Sequence, residues 1–520
     1  MKQIRRVCSL LLLLCCLVPC FAVPKKPKLV VAVVVDQFRY DYLIRFRADY
    51  HSGLARLLNQ GAVFTDARYM HFPTVTAVGH STFLSGATPS VSGIINNEWY
   101  DRATGRSVTS VSDDTTRLLG GVPGATGSSP NRLLVSAIGD ELKMAHPGSR
   151  MIGISIKDRG AILTAGHMAD AAYWFDNDSN HFVTSSYYMQ DLPEWVKTIN
   201  RDRPVYKYLG AEWKAVDAKP GDKPFCTMTA GADIKYCGAI ESTPFGNELL
   251  EDFAEKAIIS EQLGVREDTD ILALSLSSND YVGHAVGPDA PEVRDMAVRT
   301  DQLLGKLLDF IDARLGSDNT LVVFTADHGV APVPEVNQAR KMPGGRLDAS
   351  TISRTLSTAL ATKFGPGDWF VFDAYGFLYL NYDTVKKNNA DAAEVRRYAA
   401  EVARGLPHIA RAYTRDELLR GEGANDWPGR AVQSGFYGPR SGDLFLLPEP
   451  YYMFSSSGTT HAAPYSYDSH VPLIFFGAGV RAGVHHDAVT MNDAAPTLAA
   501  ILQVETPSGS SGRILSVVLQ

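Results

Sequence analysis

Cysteine is scarce in this chain. Of six cysteines in 520 residues, Cys8, Cys15, Cys16 and Cys20 fall in the first twenty positions, and only Cys226 and Cys237 follow. Two cysteines cannot build a thiolate zinc site. In an exported chain they suggest one disulfide closing a small loop. Long apolar runs are also missing. Beyond the first 22 residues no stretch of 18 apolar residues occurs, which excludes a transmembrane span in the mature chain. Basic residues do not dominate: 50 Lys and Arg face 57 Asp and Glu, a net charge of −7. Binding to nucleic acid or an anionic membrane through overall charge is therefore not expected. An anionic substrate would need a local cationic site. No internal repeat or low-complexity tract interrupts the chain.

What is present begins with a leader-like pattern. Lys2, Arg5 and Arg6 precede the apolar run Val7 to Val18, and Ala22 can end it. Residues 1–22 read as a secretory signal peptide, which predicts an exported, periplasmic protein comprising residues 23–520. A lipid anchor at Cys20 fits less well, because Pro19 stands where a small residue is expected.

The remaining sequence alternates between two patterns. Continuous β-branched runs such as "LVVAVVV" (29–35), "MIGISI" (151–156), "DILALSL" (270–276), "TLVVFTA" (320–326) and "VPLIFFG" (471–477) suit strands buried on both faces of a mostly parallel sheet. Between them lie helical stretches. The clearest is 291–316, opened by Pro291 and closed by Gly316. The alternation predicts an α/β sandwich with helices on both faces. Residues 171–249 and 336–441 break the rhythm and read as cap insertions over one end of the sheet.

Polar residues collect where the apolar runs end. Asp36 follows the first run, Lys157 and Arg159 the second, Asp280 and His284 the third, Asp327 and His328 the fourth. Ligands in open α/β sheets bind outside the carboxyl ends of the strands. Any one of these residues could be an ordinary turn former or helix cap; their joint placement is what indicates a site. Aspartates with neutral imidazoles form a donor set that zinc takes in catalytic centres. There are enough for two metals, which about 4 Å apart can clamp an in-line displacement at phosphorus. The segment "PTVTAVGH" (73–80) adds Thr74 and Thr76 ahead of a helix. Either could be a cap or a nucleophile.

Asp36, "PTVTAVGH", "GIINNEWYD", "DYVGH", "ADHG" and "GTTHAAPYSYDSHVP" occur in that order. This ordered set resembles the alkaline phosphatase superfamily. More narrowly, it is similar to the branch of nucleotide pyrophosphatase/phosphodiesterases and phosphate-irrepressible alkaline phosphatases. The resemblance spans the chain from about Leu29 to the end. It implies an alkaline-phosphatase-like three-layer sandwich and two zinc ions. One would be held by Asp36, Asp327 and His328 and would touch the nucleophile Thr76; the other would be held by Asp280, His284 and His461. Asn97, by its 21-residue spacing from Thr76 rather than its neighbour Asn96, would contact a phosphate oxygen. His80 and His470 would be structural.

Lys157 and Arg159 resemble the cation pair of the monoesterase subclass. Extra cations suit the dianionic charge of a phosphate monoester. The resemblance therefore implies an alkaline phosphatase that acts on small phosphorylated substrates through a covalent phosphothreonine. The alternative is a phosphodiesterase or nucleotide pyrophosphatase on the same bimetal site. A sulfatase is disfavoured by the lack of a "CxPxR"-like nucleophile, and a non-catalytic phosphoglycan binder by the complete ligand set.

Overall fold

The structure is a computed structural model that describes residues 26–229 and 238–520. The expected signal peptide, Cys20 and Cys237 lie outside the described residues, and so does the expected Cys226–Cys237 bridge. Among the described residues twelve strands join one mixed sheet. The strands that build its centre are β1 (Leu29–Val35), β2 (Ala62–Arg68), β3 (Met151–Ser155), β4 (Ala171–Asp176), β5 (Asp270–Leu276), β6 (Thr320–Thr325) and β7 (His470–Gly477). Strand β1 lies between β5 and β6, parallel to both. β3 pairs parallel with β5, and β4 with β3. β7 runs antiparallel to β6 and to β2.

Burial explains the apolar runs. All seven residues of β1 are buried, as are all seven of β5 and all six of β6. A strand covered on both faces cannot alternate polar with apolar side chains. Each such aliphatic side chain contributes about 1.5–3 kcal/mol by leaving water. Helices cover both faces. On one side lie α1 (Thr76–Ser85) and α2 (Asp158–Ala165), which pack on each other; on the other lie α3 (Pro244–Ser260) and α5 (Pro291–Leu315). The short α4 (Ser278–Val286) follows β5 and packs against α3 and α5.

Strand register carries the polar residues to one rim. Val35 pairs with Leu276, Val34 with Thr325, and Ser155 with Ser275. The residues that follow β1, β3, β5 and β6 therefore leave the sheet side by side. β7 runs the other way, with Leu473 opposite Thr325, so the loop before it, which holds His461, arrives at the same rim. Arg68 at the end of β2 pairs with His470, which delivers the 73–76 segment there too.

The two irregular segments behave differently. Ala171–Asp176 and His181–Ser185 are strands of the main sheet rather than part of a cap, and their aromatic residues Tyr173, Trp174, Phe175 and Phe182 are core. The later segment forms a sheet of its own from Phe370–Ala374, Phe377–Leu380, Ile409–Thr414 and Leu444–Pro448, the last lying beyond residue 441. Strand alternation divides Phe377–Leu380 between two cores. Leu378 and Leu380 join a separate cluster with Leu356, Leu360 and Trp369, while Phe377 and Tyr379 pack into the main core.

Candidate active site

Thr76 is the first residue of α1, and Val75 before it makes no side-chain cap. One of the N–H groups that a helix start leaves open is used here: the Ala77 N–H donates to Asn97 Oδ1 at 2.9 Å. That bond brings Asn97 beside Thr76. Asn96 instead turns back to accept the Asn97 N–H through its own Oδ1. α1 approaches the end of β6 so closely that a Cβ at Gly79 would collide with the Asp327 carbonyl oxygen. Thr74 also has a structural task. Its hydroxyl donates to the Ala463 carbonyl at 2.8 Å, while its own carbonyl accepts from His461 Nδ1 at 2.7 Å.

Lys157 stands at the centre of the site. Its Nζ lies 2.6 Å from Asp36 Oδ2, 2.6 Å from Asp280 Oδ2 and 3.5 Å from Thr76 Oγ1. Burial pulls its pKa down, but the charges of Asp280 and Asp36 outweigh that and raise it. Burial likewise pushes Asp280 up, yet His284 and Lys157 hold it well below the usual carboxylate range. Asp327 goes the other way: burial, then the nearby charge of Asp36, push it well above that range. Two carboxylates thus bond one ammonium, and the third, Asp327, is driven toward its neutral acid; an additional cation beside it would favour its ionised form.

The imidazoles are prepared as ligands. His284 Nδ1 pairs with the Thr459 carbonyl at 2.8 Å, His328 Nδ1 with the Gly329 carbonyl at 2.9 Å, and His461 Nδ1 with that of Thr74. Each bond fixes Nδ1 as the donor and leaves Nε2 as the inward lone pair. Burial lowers the His328 pKa to about 3. Burial, then His328 and His284, put His461 well below its ordinary value. Both are neutral, the form that binds metal. At His284 burial acts downward, but Asp280 overcomes it and the pKa is raised.

The donors gather as a metal site requires. His284 Nε2 and His461 Nε2 lie 3.1 and 3.7 Å from Asp280 Oδ1. His328 Nε2 lies 3.4 Å from Asp36 Oδ1 and 3.3 Å from Asp327 Oδ2. Asp36 Oδ1, Asp327 Oδ2 and His328 Nε2 are buried without a hydrogen-bond partner among the described residues, a costly state for polar atoms unless a cation meets them. Two groups of Asp and His can each hold a metal ion: Asp280, His284 and His461, and Asp36, Asp280 and His328. Asp280 faces both, whereas the sequence pattern assigns it to one set only.

Arg159, the second residue of α2, makes no hydrogen bond or ion pair through its guanidinium among the described residues, and its Nε is buried. His80 is neutral, with burial lowering it to about 4. Its ring pairs with the Thr76 carbonyl and with Ser275 Oγ, both at 2.8 Å. His470 stacks on Tyr40 and pairs with the Thr65 carbonyl. His80 Nδ1 also lies 3.3 Å from Asp327 Oδ2.

Sequence reasoning missed Gln37. Its backbone N–H donates to Asp327 Oδ1 at 3.0 Å, and its side-chain amide to Asp280 Oδ1 at 2.6 Å. It holds one carboxylate from each expected ligand set. It adopts φ 62° to do so, and Gly283 leaves it room, since a Cβ there would collide with Gln37 Oε1. The one available signal was an amide directly after Asp36.

The family described as type I phosphodiesterase / nucleotide pyrophosphatase matches residues 30–470. A protein of Myroides odoratus named calcium-transporting ATPase is 38% identical over 518 residues, with 94% of each chain covered. Alkaline phosphatase PafA of Elizabethkingia meningoseptica is 34% identical over 525 residues, covering 96% of this chain and 95% of that protein. A crystal structure of wild-type alkaline phosphatase PafA superposes with a TM-score of 0.89 at 33% identity, over 96% of this chain and 100% of that one. The chain belongs to the type I phosphodiesterase / nucleotide pyrophosphatase family of the alkaline phosphatase superfamily.

Proposed function

We propose that this protein is an alkaline phosphatase that hydrolyses small phosphate monoesters through a phosphothreonine at Thr76. The observation that carries this reading is the cation pair of the site. Lys157 is fixed within 3.5 Å of Thr76 Oγ1, and the Arg159 guanidinium makes no hydrogen bond or ion pair among the described residues. A monoester dianion offers the charge and the free oxygens that such a pair binds. The relative named alkaline phosphatase PafA, matched over nearly its whole length, supports the same conclusion.

Zinc ions, which this nitrogen and oxygen donor set suits, would be held by Asp36, Asp327 and His328 with Thr76, and by Asp280, His284 and His461, and would supply Lewis-acid polarisation of the reacting oxygens. The chain's own residues do the rest. Lys157, beside Thr76 Oγ1, favours its deprotonated form. Thr76 Oγ bonds to phosphorus as the ester P–O bond breaks; the proton lost from threonine balances the one gained by the departing alcohol. Water then bonds to phosphorus as the Thr76 Oγ–phosphorus bond breaks; the proton the water loses balances the one that restores the Thr76 hydroxyl, and inorganic phosphate leaves. Asn97, Lys157 and Arg159 stabilise the phosphoryl oxygens during both displacements. The leader-like residues 1–22 support export, and with it a periplasmic location.

The test is a comparison of an aryl phosphate with its methyl diester, in wild type and Thr76→Ala, with metal content measured. The monoester should be the better substrate, and Thr76→Ala should abolish turnover while keeping most of the metal. Near-normal turnover by the metal-replete variant would remove Thr76 as nucleophile. Preferential cleavage of the diester would favour the second reading, a phosphodiesterase on the same ligands, which the family match also accommodates.

A further inference from the structure

Glutamine is a strained choice at position 37. Its φ of 62° is left-handed, a region that glycine or asparagine enters with less strain. The side chain is also polar and only 2% exposed. A buried, polar, strained residue beside metal-ligand candidates needs a reason in what its side chain does. What glutamine adds over glycine or asparagine is an amide with reach.

The contact with Asp327 does not require that amide. The main-chain N–H groups of Gln37 and His328 both donate to Asp327 Oδ1, at 3.0 and 2.9 Å, and leave Oδ2 turned to His328 Nε2. Any residue at 37 other than proline keeps this bond. The side chain does something separate: its amide donates to Asp280 Oδ1 at 2.6 Å. That oxygen is the one that faces His284 Nε2 and His461 Nε2, while Oδ2 accepts from Lys157. Gln37 and Lys157 thus hold the two oxygens of one carboxylate separately, and together they oppose the rotation that would carry Oδ1 away from the imidazole pair. The amide is seated from behind as well. Gly283, in α4 between Asp280 and His284, has no Cβ, and one there would collide with Gln37 Oε1. The helix that carries both ligands therefore also carries the notch that admits the amide.

We propose that Gln37 is a positioning residue that selectively retains the cation of Asp280, His284 and His461, by fixing Asp280 Oδ1 toward the two imidazoles. This rests on the metal assignment above and is independent of the preference for monoesters. A ligating carboxylate is held by outer hydrogen-bond partners, and loss of such a partner typically lowers metal affinity about 10–100-fold. The cation of Asp36, Asp327 and His328 depends on the main chain at 37, so it should be indifferent to the side chain.

The test is a titration of zinc between the full-length protein and a chromophoric chelator, which yields a dissociation constant for each of the two sites. Gln37→Met keeps the length, the strain and the main-chain N–H but removes the amide. One constant should rise about 10–100-fold and the other should stay as in wild type. The affected site is identified by His284→Gln, in which that same constant should be the one lost. Gln37→Asn relieves the backbone strain but sets the amide back by one carbon, about 1.5 Å, out of hydrogen-bond reach; it should weaken the same site, so a loss common to both variants comes from the missing bond. Gly283→Ala pushes the amide aside without altering residue 37. It should weaken that site in wild type and much less in Gln37→Asn, where the two changes share one cause. Unchanged constants in both Gln37 variants overturn the proposal. So does an equal rise in both constants, which marks a general loosening, and so does an equal effect of Gly283→Ala in the two backgrounds. Binding of fewer than two zinc ions by wild type is a separate result: it refutes the metal assignment and takes this proposal with it.

Discussion

Replacing Lys157 by methionine tests how the site is held together, independently of turnover. The ammonium touches Asp36 and Asp280 at 2.6 Å each. At an effective dielectric of about 20, one such contact is worth roughly 6 kcal/mol of Coulomb attraction before desolvation is counted. Desolvation offsets much of this, and removing one partner of a buried ion pair costs about 3–5 kcal/mol net. Methionine keeps the volume and discards the charge, so the Asp36 and Asp280 carboxylates would lose the ammonium they share. For 520 residues the unfolding entropy near 60 °C is about 1.1 kcal/mol per degree. The chelator-treated variant should therefore melt about 3–5 °C below chelator-treated wild type. Added zinc should close the gap, because a cation then supplies the missing charge and its binding adds to stability. The assay is calorimetry on both proteins with chelator and with zinc. Equal melting temperatures under chelator would refute the reasoning, and so would equal zinc-induced increments.

Two further perturbations address the surroundings. Thr74→Val removes the donor to Ala463 and leaves that carbonyl unsatisfied, at a cost of about 1–3 kcal/mol; the melting temperature should fall and zinc should leave faster in a chelator time course, while radiolabelled phosphothreonine still forms at Thr76. Asp373, in the strand Phe370–Ala374, has its carboxyl pushed up to about 6 by burial, with Oδ1 lacking a partner among the described residues. Because the folded state prefers the neutral acid, the stability this group confers is present below about pH 4 and is lost as the pH rises through about 6. Asp373→Asn should thus stabilise the protein on the order of 1–3 kcal/mol at pH 8 and have little effect near pH 4, as melting temperatures at the two pH values would report.

The central strands were legible because burial on both faces leaves a one-dimensional trace. The runs at 29–35, 270–276 and 320–326 match β1, β5 and β6 to within a residue. The polar residues just past them were legible for the same reason: a charged residue ending an apolar run has few roles other than turn, cap or ligand. Residues 171–185 were harder, since their aromatic and aspartate content hides the strand character that pairing with β3 supplies. The seat of the second sheet was not legible at all. It depends on that sheet folding back so that Phe377 meets Phe72, a contact between segments roughly 300 residues apart in the chain.

What the linear pattern least conveys is that the two expected ligand sets form one unit. Read along the chain, Asp36, Asp327 and His328 belong to one cation, and Asp280, His284 and His461 to another. In space Lys157 joins Asp36 to Asp280, Gln37 joins Asp280 to Asp327, and Thr74 joins the nucleophile segment to the loop bearing His461. None of these joining residues has to be a ligand, so donor chemistry could not single them out. Groups connected through shared partners do not respond additively to substitution. Losses from Lys157→Met and Thr74→Val should therefore fail to sum when combined under chelator. Asp280, which faces both donor groups and touches Lys157 and Gln37, is where that coupling converges.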